Sequence, residues 1–299
     1  MASVQDTKRR IRSVANTQKI TRAMELVAAA KLRRAQERIE AMRPYADRML
    51  ELMGGVSRAA TTVRSIPLLQ RREEARTAAV VPVTGDRGLA GAFNSQVLRR
   101  AFAVERDLRR DGIDVRWLVS GKKGRSTLTF RRYELVQAWA GFSDRPSYAD
   151  AQAIAHALAE LYESGEADRV IVIYNAFESP LVQRVTVQDV LPVPEEVLRR
   201  DEEESEAARA ALSGDFIYEP EPEEILARLA PVYLETEIYR ALLESAASEQ
   251  GARMTAMRNA SKNAGELIDR LTLEMNRARQ AEITQEILEV VAGADALAQ

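Results

Sequence analysis

Residues 28–56 read AAAKLRRAQERIEAMRPYADRMLELMGGV, and their reading decides the fold. Ala28, Leu32, Ala35, Ile39, Met42, Ala46, Met49, Met53 and Val56 recur at alternating spacings of four and three. That is a heptad seam, a narrow apolar stripe of the width a second helix covers. Pro44 lies off the stripe and predicts a kink, because a proline inside a helix removes one hydrogen bond. Ser3 can cap the helix, with Asp6 in its first turn. The predicted helix over 3–57 spans ~80 Å, too long for a compact domain of this size, so it must project or lie along something long.

Before residue 28 the stripe changes. Carrying the register back places Glu25 at a core position, while the apolar residues shift to Ile11, Val14, Ile20, Ala23, Met24 and Val27. This first part is expected to meet different surroundings. It is also basic: residues 1–40 carry ten Lys and Arg, from Lys8 to Arg38, against Asp6, Glu25, Glu37 and Glu40. An acidic partner surface and a solvated helix face both fit that charge.

The far end of the chain mirrors the near one. Pro231 is expected in the first turn of a last helix, and no proline follows it up to Val291. Ala260, Ala264, Leu267 or Ile268, Leu271, Met275, Ala278, Ile283, Ile287 and Val290 form its stripe. Such a helix spans ~90 Å. Two long helices with one apolar stripe each, on a chain that runs out and back, are expected to pair as an antiparallel coiled coil. Gly251 and Gly265 each cost about 1 kcal/mol relative to Ala inside a helix, which crowding by a neighbour or sequence drift would explain.

Between the helices the period changes. Gly54 and Gly55 begin an exit, and 65–77 is a polar, Arg-rich link. Ala78 to Thr84, Ile113 to Val119, Arg169 to Phe177 and Val182 to Val190 read as strands. Asn94 to Arg110 reads as a helix, 121–125 as a polar loop, and 147–164 as a helix opened by Ser147 and closed by Gly165. Alternating strands and helices imply a largely parallel sheet. The expected organisation is an N-terminal coiled-coil helix over 1–60, a Rossmann-like α/β domain over 75–195, an acidic linker with a short helix over 196–230, and a C-terminal coiled-coil helix over 231–299. Glu202, Glu203 and Glu204 centre the acidic stretch.

Composition narrows the chemistry. Of 299 residues 46% are hydrophobic and only 5% aromatic, which favours long helices over a β-sandwich. The 43 basic and 45 acidic residues nearly balance, so any charge effect is local. Without cysteine there is no disulfide or thiolate chemistry, and a reducing compartment fits. With His156 as the sole histidine, a multi-histidine metal site is impossible. Met1 to Arg12 lacks the apolar stretch of a signal peptide, and no run approaches the ~20 apolar residues of a membrane span.

Two other readings, a nucleotide-binding enzyme and a nucleic-acid binder, each find some support in the chain. Gly85, Gly88 and Gly91 follow a strand and precede a helix, as a phosphate cradle would. Their spacing is not that of a dinucleotide site and no P-loop lysine follows, so tight turns and close packing fit better. His156 stands between two alanines with no nucleophile motif beside it. The basic helix could reach a nucleic-acid groove, yet it holds no aromatic residue before Tyr45.

Three blocks carry a family resemblance. Residues 11–36, IRSVANTQKITRAMELVAAAKLRRAQ, residues 84–94, TGDRGLAGAFN, and residues 248–291, SEQGARMTAMRNASKNAGELIDRLTLEMNRARQAEITQEILEVV, resemble in order the signatures of the bacterial F-type ATP synthase gamma family. Ala90 and Ala92 depart from the family's glycine motif, and no dithiol insertion of the chloroplast type is present. The resemblance implies a non-catalytic rotor shaft with no cofactor and no metal. It implies alpha and beta subunits around the helices, an epsilon subunit and a ring of c subunits near the globular part, and a peripheral place on the cytoplasmic face of the plasma membrane. It excludes nucleic acid as a partner and places any membrane contact with partner subunits. By position, Met24, with Arg22, Lys31 and Arg33 nearby, would face the acidic lever loop of beta, and Arg279 and Gln280 would meet a beta catch loop.

Overall fold

The structure, a computed structural model, describes residues 4–60, 66–72, 74–194, 197 and 220–297. The expected cap Ser3 and the acidic Glu202, Glu203 and Glu204 lie outside them. The chain forms two compact units, residues 1–29 with 253–299, and residues 30–252.

The heptad reading of the first helix holds. α1 (Val4–Ala59) is continuous for 56 residues and runs through Pro44. Of its nine seam residues only Ile39 and Met42 are less than fully buried.

In the larger unit, β1 (Thr77–Pro82), β2 (Asp114–Ser120), β3 (Leu135–Trp139), β4 (Arg169–Phe177) and β5 (Gln183–Leu191) form one sheet. Their order is β3-β2-β1-β4-β5, parallel except for β5, which runs antiparallel beside β4. α2 (Phe93–Arg110) and α3 (Lys122–Phe130) connect the first strands, and α4 (Tyr148–Glu163) precedes β4. One face of the sheet packs Val80, Trp117, Ile171 and Ile173 against Val97, Ala101 and Leu128. The other packs Val81, Leu118 and Val172 against Ile154 and Leu158 of α4. Met49, Met53 and Val56 of α1 join that second layer. So do Leu226, Leu234, Ile238 and Leu242 of α5 (Pro222–Leu297). β1 and β4 are apolar along most of their length because both faces are covered.

Asp168 ties the start of the sheet. Its carboxylate accepts from Arg72 at 2.6 Å and from the backbone N–H of Arg76 and Thr77 at 2.7 and 2.9 Å. Burial pushes the Asp168 carboxyl up, but those bonds, Arg72 first, hold it below its ordinary value. Ser147 caps α4 through a reciprocal capping box with Asp150.

Three expectations need correction. The polar loop expected over 121–125 is largely the start of α3, a short helix that buries only Gly124 and Leu128 and so has no stripe to read. β3 escaped the strand reading because it sits at the sheet edge, its side chains only partly buried. The last helix begins at Pro222, with Glu223 and Glu224 in its first turn, and so takes in 222–230 of the expected linker. Pro231 lies inside it. Burial of Leu226, Ala230, Tyr233 and Leu234 holds the helix together where that proline removes a hydrogen bond.

Candidate functional site

In the smaller unit α1 and α5 run antiparallel as a two-helix coiled coil. Gln18 Nε2 donates to the Ser261 carbonyl at 3.4 Å, and Arg258 Nε meets Glu25 Oε1 at 2.9 Å, so residue numbers rise on one helix as they fall on the other. Gly265 leaves room for the Gln18 side chain, since a Cβ there would stand 3.0 Å from Gln18 Nε2.

The stripe of α1 does not shift before residue 28, as the sequence reading supposed. The heptad continues unbroken through Thr7, Ile11, Val14, Gln18, Thr21 and Glu25, and its filling becomes polar. Ile20, Ala23 and Val27 point to solvent, with Ile20 60% exposed. The polar fillers find partners: the Thr21 hydroxyl donates to the Gln18 carbonyl at 3.0 Å, and Glu25 takes both Arg258 and Arg22, the latter at 2.8 Å. The bond from Arg258, aided by Arg22, holds the Glu25 carboxyl below its ordinary value despite desolvation. A charged residue at a core position fixes helix register at a cost in stability.

The six sequence-predicted contact residues fall into separate places. Met24 is half-buried, and Arg22 is exposed apart from its ion pair with Glu25. Arg279 and Gln280 are exposed on α5. Since Glu25 pairs with Arg258, Arg279 lies about twenty residues away along α5, or ~30 Å. The two groups make two patches, not one pocket. In the larger unit, Arg33 pairs with Glu37 at 3.3 Å and Lys31 pairs with Asp144. Beyond Gln280, α5 is exposed on all sides through residue 292, including the stripe residues Ile283, Ile287 and Val290. The exposed surface is therefore less polar than a purely basic tip.

The glycine motif builds packing. It lies at the carboxyl end of β1, where the strand order reverses between β1 and β4 and where such sheets hold ligands. Here α5 fills that crevice. Ser248 Oγ donates to the Asn175 carbonyl at 3.0 Å, and a Cβ on Gly85 would stand 2.8 Å from the Glu249 carboxyl group. A buried carboxylate in place of a phosphate opposes an anionic ligand. Asp86 accepts from the backbone N–H of Lys122, Gly141 and Ser143 at 3.0, 2.8 and 3.1 Å, tying together the loops after three parallel strands. The Thr84 hydroxyl donates to the Ser120 carbonyl and accepts from the Gly124 N–H. His156 is exposed on α4, and no group of three metal-ligating side chains occurs among the described residues.

Sequence reasoning missed Arg258, Glu249 and Asp144. Glu25 at a core position was the one available sign of Arg258, because a buried carboxylate calls for a cation on the facing helix. Nothing local marks Asp144 or Glu249, whose partners are far away in sequence.

Comparisons with known proteins agree along the chain. A family model described as ATP synthase matches residues 3–297. An ATP synthase gamma chain of Rubrobacter xylanophilus is 47% identical over 298 residues, covering 100% of this chain and 99% of that one. The gamma chain of Paracoccus denitrificans is 46% identical, covering 99% and 100%. A chain from the central stalk and c-ring structure of the Tetrahymena thermophila mitochondrial ATP synthase is 29% identical. It aligns with a TM-score of 0.58 over 81% of this chain and 99% of its own. A chain from the Euglena gracilis mitochondrial ATP synthase shares the fold at a TM-score of 0.66 and 18% identity, over 98% and 94% of the two chains.

Proposed function

The chain belongs to the ATP synthase gamma-chain family, and we propose from this premise how its geometry serves such an enzyme. It is the central rotor shaft, coupling ion-driven rotation to ATP synthesis or hydrolysis at the beta subunits. Its own part is mechanical and non-catalytic. Among the described residues no helix is long and apolar enough to cross a membrane. The c-subunit ring and its neighbours would supply the membrane contact. The complex would stand with this subunit on the cytoplasmic face of the plasma membrane.

The observation that carries the reading is the coiled coil of the two chain ends, pinned across its seam by Glu25 and Arg258. A shaft must keep its register under twist, and directional bonds resist slippage that a smooth apolar seam would permit. The alpha and beta subunits would surround this pair. Arg22, Met24 and Arg33 would face one beta loop, with Lys31 adding long-range attraction from its place beside Asp144. Arg279 and Gln280 would meet a second beta loop. The exposed Ile283, Ile287 and Val290 would lie within the same ring. The α/β unit would sit toward the epsilon subunit and the c ring.

Reconstitution with alpha and beta subunits tests the proposal. Adding this chain should restore multi-site ATP hydrolysis. Arg279→Ala with Gln280→Ala should weaken coupling while folding is kept, because both side chains are exposed and support no core. Unchanged coupling in that double variant would remove the second patch from the proposal.

A further inference from the structure

One carboxylate in the larger unit meets both long helices. Asp144, in the loop between β3 and α4, forms an ion pair with Lys31 of α1. It also accepts a hydrogen bond from Gln250 Nε2 of α5 at 2.5 Å. These donors stand 113 and 106 residues from it in sequence. The loop that carries it is itself pinned: Asp86 takes the backbone N–H of Gly141 and Ser143, and the Asp86 N–H donates to Ser143 Oγ at 2.9 Å. Gln250 is 1% exposed, so its amide is committed to the interior.

The place of this contact gives it a use. The apolar core shared with the sheet engages α1 at Met49, Met53 and Val56, and α5 as far as Leu242. Lys31 lies about 27 Å before Met49 along α1, and Gln250 about 12 Å past Leu242 along α5. A helix gripped at one place pivots there, whereas one gripped at two separated places resists bending and twisting. We infer that Asp144 is a clamp by which the α/β domain grips α1 at a second point and, together with the Ser248–Asn175 hydrogen bond, holds α5 at the same level, and so a positioning residue for the passage of torque. The clamp rests on geometry alone; its part in coupling rests on the rotary function proposed above.

Two measurements on Asp144→Ala and Asp144→Glu decide it. In the full chain, Asp144→Ala should speed amide hydrogen exchange several-fold in both α1 around Lys31 and α5 around Gln250, with the core strands unchanged. Asp144→Glu, which keeps a carboxylate, should restore most of the protection. Parental exchange in either helix for Asp144→Ala overturns the clamp. In the assembled complex in vesicles, Asp144→Ala should lower ATP-driven proton uptake per ATP hydrolysed at least twofold, with recovery in Asp144→Glu. A parental ratio despite faster exchange overturns the role in torque. Should the unsubstituted chain fail to restore multi-site turnover, the rotary function fails, and the exchange result still decides the clamp.

Discussion

Two stretches of α1 follow one heptad and fill it differently, one with apolar side chains throughout and one with a mixture rich in polar ones. From Leu32 to Val56 the inward positions hold Leu, Ile, Ala, Met and Val, and in the larger unit Met49, Met53 and Val56 share a core with a sheet and two other helices. From Thr7 to Glu25 the inward positions include Thr, Gln and Glu, and in the smaller unit the stretch has α5 alone beside it. A seam between two helices is thin and buries little apolar area, so directional bonds set its register. A layered core has volume to fill, and close packing sets its geometry. The comparison teaches that one periodic signal can specify two kinds of cohesion.

The largest expected effect would break the packed side alone. Gly121 has φ +99°, and a Cβ there would stand 2.0 Å from the Thr84 carbonyl oxygen. Gly121→Ala should cost about 4 kcal/mol through backbone strain and overpacking. Chemical denaturation of the larger unit would show it, with exchange in the coiled coil unchanged. Met53→Ala comes next: the side chain is 0% exposed, and the cavity should cost about 3 kcal/mol in the same measurement. Arg258→Ala probes the thin seam. It strips Glu25 of its cross-helix partner, but Arg258 is half exposed and water softens the loss. The cost should be about 1 kcal/mol, seen as faster exchange around Gln18 to Ala28 and Met257 to Ala264 only.

The smallest effect sharpens the comparison by pH. Glu25 has a carboxyl held below its ordinary value near 4.5, so its contribution is complete above that value and fades as pH falls through the lowered one. Asp168 behaves alike from an ordinary value near 3.8. On acidification the coiled coil should therefore begin to loosen before the tie at the sheet does. Exchange measured against pH would show it, and Glu25→Gln should flatten the first limb. A coiled coil that keeps full protection while the larger unit loosens would contradict the polar seam.

Much of this was legible in the chain. The four-three spacing from Ala28 to Val56 exposed a helix because a helix repeats its face every three to four residues. β1 and β4 were legible because strands covered on both faces must be apolar throughout. The crowding hinted at by Gly251 and Gly265 is present: a Cβ on Gly251 would stand 3.2 Å from the Pro180 carbonyl oxygen, and one on Gly265 3.0 Å from Gln18 Nε2. α3 and β3 were not legible, since neither buries a periodic face. The unbroken register before residue 28 was hidden because apolar residues at Ile20 and Val27 drew the stripe away from the polar side chains that hold it.

By itself, the sequence determined two long terminal helices, an α/β domain between them, and three blocks shared with a family of rotor subunits. Periodicity and motif are properties of neighbouring residues, so both survive in one dimension. Only the tertiary structure decided that Glu25 faces Arg258, that Glu249 fills the crevice beside Gly85, and that Asp144 joins Lys31 to Gln250. Each of those contacts joins residues more than a hundred positions apart, and charge complementarity at that separation leaves no local pattern to read.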